Sequence, residues 1–249
     1  MRAVLTPLAG AAGFVALWWL AVLGNVTDPV LLPSPATTFH DTVAGLSSGT
    51  LAVDLWRTVE RTAYSFAIAC AVGVPLGVAL GAQERLYRSV EFVVDFFRST
   101  PASALFPLFL ILFGPGEATK IAVAAFGAAL VVLFNAAYGV MNARRTRVLA
   151  AKVMGASHGR ILFDVLLWEA MPAILVGMRA GVSLALVIVV VAEMFIGSTD
   201  GLGHTVMNAQ MLFESGLMYG AIFLAGALGY ALNLLFLVVE KRFVHWSGK

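Results

Sequence analysis

Residues 155–159 have the spacing that could present a catalytic serine. Gly155-Ala156-Ser157-His158-Gly159 matches G-x-S-x-G, the nucleophile elbow of hydrolases, in which a serine on a sharp strand-to-helix turn attacks a carbonyl carbon. Asp200 and His204 follow in the chain order in which the acid and the base of such a triad occur. An elbow requires a strand before the serine, whereas an alanine-rich helical stretch precedes Ser157. The local pattern therefore argues against catalysis, and we assign no catalytic residues.

Charged residues inside long apolar stretches are the second set that could have a chemical role, because an ionisable group in a membrane usually faces a cavity or a partner. They are Asp95, Arg98, Arg179 and Glu193. Asp95 and Arg98 are three residues apart, so a self-neutralising pair on one helix face and a path-lining role both remain open. Glu193 lies roughly 20 Å along its helix from Arg179 and therefore needs another partner or a wet cavity.

The two arginines in these stretches could act together. Arg98 and Arg179 each lie six residues from the predicted inner start of a span, about 9 Å deep at 1.5 Å per residue. At equal depth their guanidinium groups could share one cavity. With only one carboxylate, that of Asp95, beside them, the cavity would favour an anion.

The remaining polar motifs favour neither a metal nor a nucleotide site. His40, His158, His204 and His245 are scattered without metal-ligand spacing, and Cys70 is a lone cysteine. No glycine loop followed by Lys and Ser or Thr forms a phosphate-binding P-loop. We predict no metal and no cofactor in this chain, and the net charge of +2 gives no ground for a nucleic-acid partner.

The elements that position these residues are membrane spans. The chain is 60% hydrophobic and 12% charged, with a mean hydropathy of +0.91, whereas soluble domains are roughly 45 to 50% apolar and about 25% charged. A bilayer core of about 30 Å needs about 20 apolar residues in a helix. Helices also satisfy their own backbone groups in lipid, so we predict an all-α membrane protein of about six transmembrane helices. These spans are residues 4–23, 63–82, 92–113, 121–141, 173–196 and 219–239.

The positions of Lys and Arg predict the direction of the spans, because cytoplasmic loops retain positive charge. With the N-terminus inside, the inner segments hold eleven Lys and Arg residues and the outer segments three, Arg57, Arg61 and Lys120. Both termini and the loop around residue 150 are then cytoplasmic. Asp54 and Glu60 lie close to Arg57 and Arg61 in the sequence, and neutralisation by these carboxylates explains the two exceptions to the charge rule.

The most basic of the predicted loops contains a short alanine-rich helix that ends at Gly155 and restarts at Ser157, whose hydroxyl could cap the next helix. A compact knob of this kind suits a cytoplasmic partner. The topology also places Ser157 about 30 Å of hydrocarbon away from Asp200 and His204, which excludes the hydrolase triad.

Two rows of glycine predict where helices pack closely. Gly73, Gly77 and Gly81 recur every four residues in the second span, and Gly177 and Gly181 do so in the fifth. Such rows let helix backbones approach each other in lipid.

Over about residues 31–246, the order of the motifs resembles the permease subunits of bacterial ABC importers of the nitrate, taurine and alkanesulfonate class. The motifs are Leu32-Pro33-Ser34-Pro35, Arg57-Thr58, Arg98-Ser99-Thr100-Pro101, Pro107, Phe113-Gly114, Gly116-Glu117, Ala150-Ala151, Gly155-Ala156-Ser157, Pro172, Gly177, Glu193, Gly201-Leu202-Gly203 and Glu240-Lys241-Arg242 with Trp246.

The resemblance implies a type I ABC importer permease fold with a cytoplasmic coupling helix, in the bacterial plasma membrane. It also implies three kinds of partner: a second copy of the permease, two cytoplasmic subunits that bind the ATP and Mg²⁺, and an external solute-binding protein. We expect residues 1–249 to form one permease domain, with 1–30 as the first span and its lead-in, 50–249 as the core and 144–165 as the coupling loop.

The same resemblance suggests which residues act. For coupling to the ATPase these are Leu149, Ala150, Ala151, Lys152, Gly155, Ala156 and Ser157. For the translocation path we predict Arg98, Thr100, Arg179 and Glu193, and for the side that receives the binding protein Gly201, Leu202 and Gly203.

Two positions depart from the family pattern. The coupling motif of the family begins Glu-Ala-Ala, and Leu149 occupies the Glu position, which weakens any polar contact expected there. Leu167-Trp168 stands where the family often has Leu-Pro. The expected function is the pore subunit of an ATP-driven importer for a small anion such as nitrate, a sulfonate or an organic carboxylate. The alternative, a secondary transporter or channel that uses an ion gradient, would show repeated halves or discontinuous helices in corresponding positions.

Overall fold

The computed structural model describes residues 2–28 and 30–243, so the predictions for His245, Trp246 and Lys249 lie outside the described residues. The regular structure within these ranges is helical, which confirms the all-α class. A 3₁₀ turn (Ala102–Leu105) precedes α5, and a π-helical turn (Ile161–Leu166) precedes α9. The helices are α1 (Arg2–Leu23), α2 (Pro35–Ser47), α3 (Thr50–Ala82), α4 (Glu84–Ser99), α5 (Phe106–Phe113), α6 (Glu117–Met141), α7 (Arg145–Val153), α8 (His158–Arg160), α9 (Leu167–Phe195), α10 (Leu202–Met211) and α11 (Ser215–Phe243).

The predicted count of six spans is not confirmed. Within the described residues, four helical segments are long and apolar enough to cross a membrane: Thr50–Ala82, Glu117–Met141, His158–Phe195 and Ser215–Arg242. A bent pair of helices makes a fifth if it is counted as one span, and Ala9–Leu23 is a shorter apolar helix.

The bent pair replaces the predicted continuous span over residues 92–113. Helices Arg85–Ser99 and Ala102–Phe113 meet at 93°. Thr100 ends α4 with extended backbone angles, φ −82° and ψ 124°. A residue that precedes proline is disfavoured in the α conformation, so Pro101 explains why the helix stops there.

Two helices between the predicted spans were not expected. Residues 31–34 are non-helical, and Pro35 begins α2. Ser34 caps this helix, because its Oγ accepts a hydrogen bond from the backbone N–H of Thr37 at 3.1 Å. Proline suits the first turn because it has no N–H to leave unsatisfied. The second unexpected helix is α10, which begins at Leu202.

The chain divides into two compact units, which are described separately. The first contains Met1–Arg57 and Ser198–Ala227. In this unit the ring of Trp18 stacks on Tyr219 and Phe223 with centroids 6.0 and 5.4 Å apart, and its Nε1 donates a hydrogen bond to the carbonyl of Pro33 at 3.1 Å. These contacts fasten α1 to the first turns of α11.

The second unit contains Thr58–Gly197 and Leu228–Lys249, and its core is the long contact between α6 and α9. Small buried residues line this contact, which lets the two helix backbones approach closely. They include Ala124, Ala128, Ala136, Ala170, Ala185 and Ala192. Gly181 adds to the contact, because a Cβ there would lie 2.8 Å from Cγ2 of Val132.

The glycine row of α3 also packs on α6, which confirms the predicted packing role. A Cβ built on Gly73 would lie 2.8 Å from the carbonyl oxygen of Ala129. One on Gly77 would lie 2.7 Å from Cβ of Ala136, and one on Gly81 2.8 Å from Cβ of Val140. Real Cβ atoms essentially never come that close, so these three positions have no room for a side chain.

We therefore predict that Gly77→Leu lowers stability by about 1–3 kcal/mol, because it overpacks a closed helix interface. The measurement is the midpoint of thermal unfolding of the detergent-solubilised protein. Gly226→Leu is the matched control, because a Cβ at Gly226 meets nothing within 4 Å. Equal midpoints for the two variants would contradict the packing of α3 on α6.

Candidate functional site

A cluster of buried charges in the second unit joins α3, α6 and α9. Arg61 Nε and Nη2 donate to the two carboxylate oxygens of Glu117 at 2.6 and 2.7 Å, and Arg61 Nη1 donates to Glu193 Oε1 at 2.8 Å. Thr58 Oγ1 lies 3.0 and 2.9 Å from the two oxygens of Glu193. Lys120 Nζ donates to Glu117 Oε1 at 2.9 Å. We call Thr58, Arg61, Glu117, Lys120 and Glu193 the buried charge cluster.

The cluster is buried at Arg61, Lys120 and Glu193 and reaches solvent at Glu117. The side chains of Arg61 and Glu193 are 3% and 0% exposed, whereas that of Glu117 is 57% exposed. A buried charge is tolerated only when it is paired and hydrogen-bonded, and here two cations face two carboxylates. These ion pairs and hydrogen bonds link α3, α6 and α9.

The cluster resolves one prediction and corrects another. Glu193 was expected to need a partner, and Arg61 supplies it. Arg61 was interpreted as neutralised locally by Asp54 and Glu60, but its partners described above are Glu117 and Glu193 of other helices. Two features of the sequence could have indicated this pairing. Arg61 lies on the outer side, against the positive-inside rule, and Glu193 is an intramembrane carboxylate without a local partner.

Arg98 and Arg179 have separate partners. Arg98 Nη2 lies 3.3 Å from Asp95 Oδ1, and its guanidinium lies 4.8 Å from the ring centroid of Phe134. Arg179 Nη1 donates to Glu240 Oε2 at 3.4 Å. The prediction of two arginines beside a single carboxylate is therefore wrong, because Glu240 of α11 supplies a second one. Both arginines keep partly exposed side chains.

Thr100 lies at the break between α4 and the 3₁₀ turn. Its Oγ1 donates to the carbonyl of Phe96 at 2.9 Å, so the hydroxyl helps to close the end of α4. The residue is partly buried.

The segment 149–157 has the local structure that was predicted for it. Helix α7 ends at Val153, and Gly155 has a φ of +80°, a left-handed conformation that favours glycine. The N–H groups of Gly155 and Ala156 bond back to the carbonyls of Lys152 and Ala151 at 3.0 Å each. Ser157 caps the next helix by accepting a hydrogen bond from the N–H of Arg160 at 3.4 Å.

Apolar side chains are exposed on this segment. Leu149, Val153 and Met154 are 58%, 88% and 81% exposed, whereas Ala151 is buried against the remainder of the unit. We call Leu149, Val153 and Met154 the apolar knob. An exposed apolar surface of this kind marks an interaction site.

Gly201, Leu202 and Gly203 are buried in the first unit. The turn after α9 runs through Gly197 to Gly201, and Leu202 and Gly203 belong to α10. Asp54 fixes this start, because it accepts hydrogen bonds from the N–H of Gly201 at 2.8 Å and from Thr205 Oγ1 at 2.6 Å.

The described residues contain no group of three or more His, Cys, Asp or Glu that could hold a metal ion. Ser157 follows a helix and a glycine turn. A hydrolase elbow would need a strand before this serine. Asp200 lies 3.8 Å from Arg57 Nε in the first unit.

We expect the buried charge cluster to dominate the stability of the second unit. Arg61→Ala leaves the carboxylate of Glu193 without its cation in the interior, so we predict a loss of about 3–5 kcal/mol. Arg57→Ala is the control one helical turn away, where the side chain is half-exposed and the predicted loss is below about 1 kcal/mol. Thermal unfolding midpoints of the two variants in detergent check this, and similar midpoints would refute it.

Known proteins match this chain over most of its length. The family model for "Binding-protein-dependent transport system inner membrane component" matches residues 73–246. The taurine transport system permease protein of Escherichia coli (strain K12) is 28% identical over 100% of this chain and 92% of its own length. The bicarbonate transport system permease protein of Synechococcus elongatus is 28% identical over 98% of this chain and 87% of its own length.

A solved structure shares the fold. The inward-facing MetNI methionine ABC transporter has a chain that superposes with a TM-score of 0.71 at 21% identity, over 80% of this chain and 98% of that one. Neither relative is named as a secondary transporter or a channel. The chain belongs to the family of binding-protein-dependent transport system inner membrane components, the membrane-spanning permeases of ABC importers.

Proposed function

We propose that this permease imports a small anionic solute, delivered from outside by a solute-binding protein and driven by ATP hydrolysis in cytoplasmic partner subunits. Relatives named for taurine and bicarbonate, a sulfonate-bearing solute and an anion, support this substrate class. Arg98 and Arg179 remain partly exposed beside their carboxylate partners and are the arginines that we assign to the path.

The apolar knob carries the assignment of the coupling site. A short helix that ends in a fixed glycine turn and a serine cap holds Val153 and Met154 in one rigid arrangement. We propose that these side chains fill an apolar groove on the ATPase subunit, with Ala150, Ala151, Lys152, Gly155, Ala156 and Ser157 forming the frame. Leu149 is exposed beside them, so the residue that replaces the family's Glu makes an apolar contact where a carboxylate would make a polar one.

The remaining assignments are proposed on the pattern of the family. Two permease copies form the pore and two ATPases bind inside, with both termini cytoplasmic and the whole chain acting as one permease domain. Arg98, Thr100 and Arg179 line the translocation path. Glu193, whose carboxylate is fully buried, supports the path by holding α9 rather than facing the solute.

The binding protein docks at the end of the first unit where α10 begins. Gly201, Leu202 and Gly203 are buried, so they shape this end and polar neighbours make the contact. An open cavity of about 670 Å³ lies there, lined in part by Asp200, His204 and Asn208.

The substrate class is testable with the reconstituted complex of permease, ATPase and binding protein in proteoliposomes. We expect uptake of a labelled sulfonate, bicarbonate or nitrate to require both ATP and the binding protein. Labelled lysine and methionine, a cation and a neutral zwitterion, serve as controls and should not be transported. Uptake by the permease alone, or uptake of only the control solutes, would contradict the proposal.

The coupling site is testable by placing a charge in the apolar knob. We expect Val153→Asp to abolish co-purification of the ATPase with the permease, because a carboxylate would have to be buried in an apolar groove. Val26→Asp is the control, since Val26 is also exposed, at 72%, but lies in the loop after α1. The ATPase recovered per permease is measured by densitometry, and unchanged recovery with Val153→Asp would move the docking site elsewhere.

A further inference from the structure

An ion pair links the coupling helix to the longest packed span. Arg147 is the third residue of α7, and Glu169 lies in the first turn of α9. Nη1 of Arg147 donates a hydrogen bond to Oε1 of Glu169. The Glu169 side chain is only 12% exposed, whereas Arg147 is 56% exposed. A carboxylate so nearly buried needs its cation, so the position of Arg147 and the position of α9 are interdependent.

The covalent connection between the same two helices contains one short break, residues 154–157, after which the chain is helical from His158 to Phe195. After α7 come the left-handed Gly155, the Ser157 cap, the single turn of α8 and the π-helical turn Ile161–Leu166. A π-helical turn carries one extra residue and occurs mostly as a single turn at functional positions. The Arg147–Glu169 pair is therefore a side-chain link that spans the break between α7 and this continuous helix.

Helix α9 is suited to carry a displacement along its length. Its 29 residues form one continuous helix, roughly 43 Å long at 1.5 Å per residue. Arg179, in the middle of α9, donates a hydrogen bond to Glu240. Glu193, near the C-terminal end of α9, accepts hydrogen bonds from Arg61 and Thr58. One helix therefore carries Glu169, the proposed path residue Arg179 and the cluster residue Glu193.

We propose that Arg147 and Glu169 are a pair of positioning residues that transmit movement of α7 to α9 and so link ATP hydrolysis to the path. This role rests on the proposed docking of the ATPase at α7. The two side chains touch neither the solute nor ATP, and they act by fixing the first turn of α9 to the coupling helix. A purely structural pair would lower thermal stability and leave the solute imported per ATP unchanged.

The test measures the solute imported per ATP hydrolysed by the complete complex in proteoliposomes. We expect Arg147→Ala and Glu169→Gln to keep ATPase assembly and ATP hydrolysis while uptake per ATP falls by about tenfold, within the usual range of coupling energies. The charge-exchanged double variant, Arg147→Glu with Glu169→Arg, should restore uptake per ATP to within about twofold of the original. Arg145→Ala is the matched control, because Arg145 is exposed on the same helix and has no ion pair within the described part of the chain.

The outcomes separate this pair from the docking site. Loss of ATPase assembly with Arg147→Ala but not with Glu169→Gln would mean that Arg147 binds the ATPase, which overturns the transmission role. Unchanged uptake per ATP in both single variants, or no recovery in the double variant, overturns it as well. If the docking proposal is wrong, the ATPase will co-purify fully with Val153→Asp, and this result does not depend on the variants of Arg147 and Glu169. Arg147→Lys keeps the charge at this exposed position and should retain at least about half of the original uptake per ATP.

Discussion

The carboxylate of Glu193 lies near the end of an apolar helix with no exposed surface, and the second unit is organised around its neutralisation. An unpaired charge at such a position is strongly destabilising, so an arginine must reach it from another helix. Arg61 does so from α3, and the remaining face of its guanidinium is satisfied by Glu117 at the start of α6. One electrostatic requirement thus fixes which ends of three helices meet, and the shapes of the helices then decide how closely they pack.

Close packing depends on residues that have almost no side chain. Helix α6 packs against both α3 and α9, and the glycines of α3 with the alanines of α6 and α9 bring the backbones together. In lipid this contact gains little from the exclusion of water, because the surrounding tails are as apolar as the residues, so dispersion over a large matched surface holds it. The charged end sets the register of the three helices, and the small residues maintain it along the membrane.

The features that could be predicted from the sequence are those determined within a few residues. The end of α7 at Gly155 and the cap at Ser157 follow from local backbone chemistry, and the pair of Asp95 with Arg98 follows from helical spacing. The partnership of Arg61 with Glu193 joins residues 132 positions apart and could not be deduced from either neighbourhood. The bend at Pro101 interrupts an apolar run that hydropathy alone counts as continuous, and α2 and α10 are too short to register as spans. The local frame of the coupling segment was therefore accessible, whereas the tertiary partners of the predicted path residues were not.

At the proposed coupling site, Leu149 has a consequence for how this permease would select its ATPase. A carboxylate at that position would attract a basic partner from a distance and would repel an acidic one, which gives selectivity through charge. An exposed leucine exerts no field, so recognition at this point depends on whether the partner's surface has a depression of the right shape. Salt would not weaken such a contact as it weakens an exposed ion pair. Discrimination among the ATPases of one cell would then depend on steric fit, which tolerates any partner with a suitable apolar groove and makes sharing of one ATPase between several permeases physically feasible.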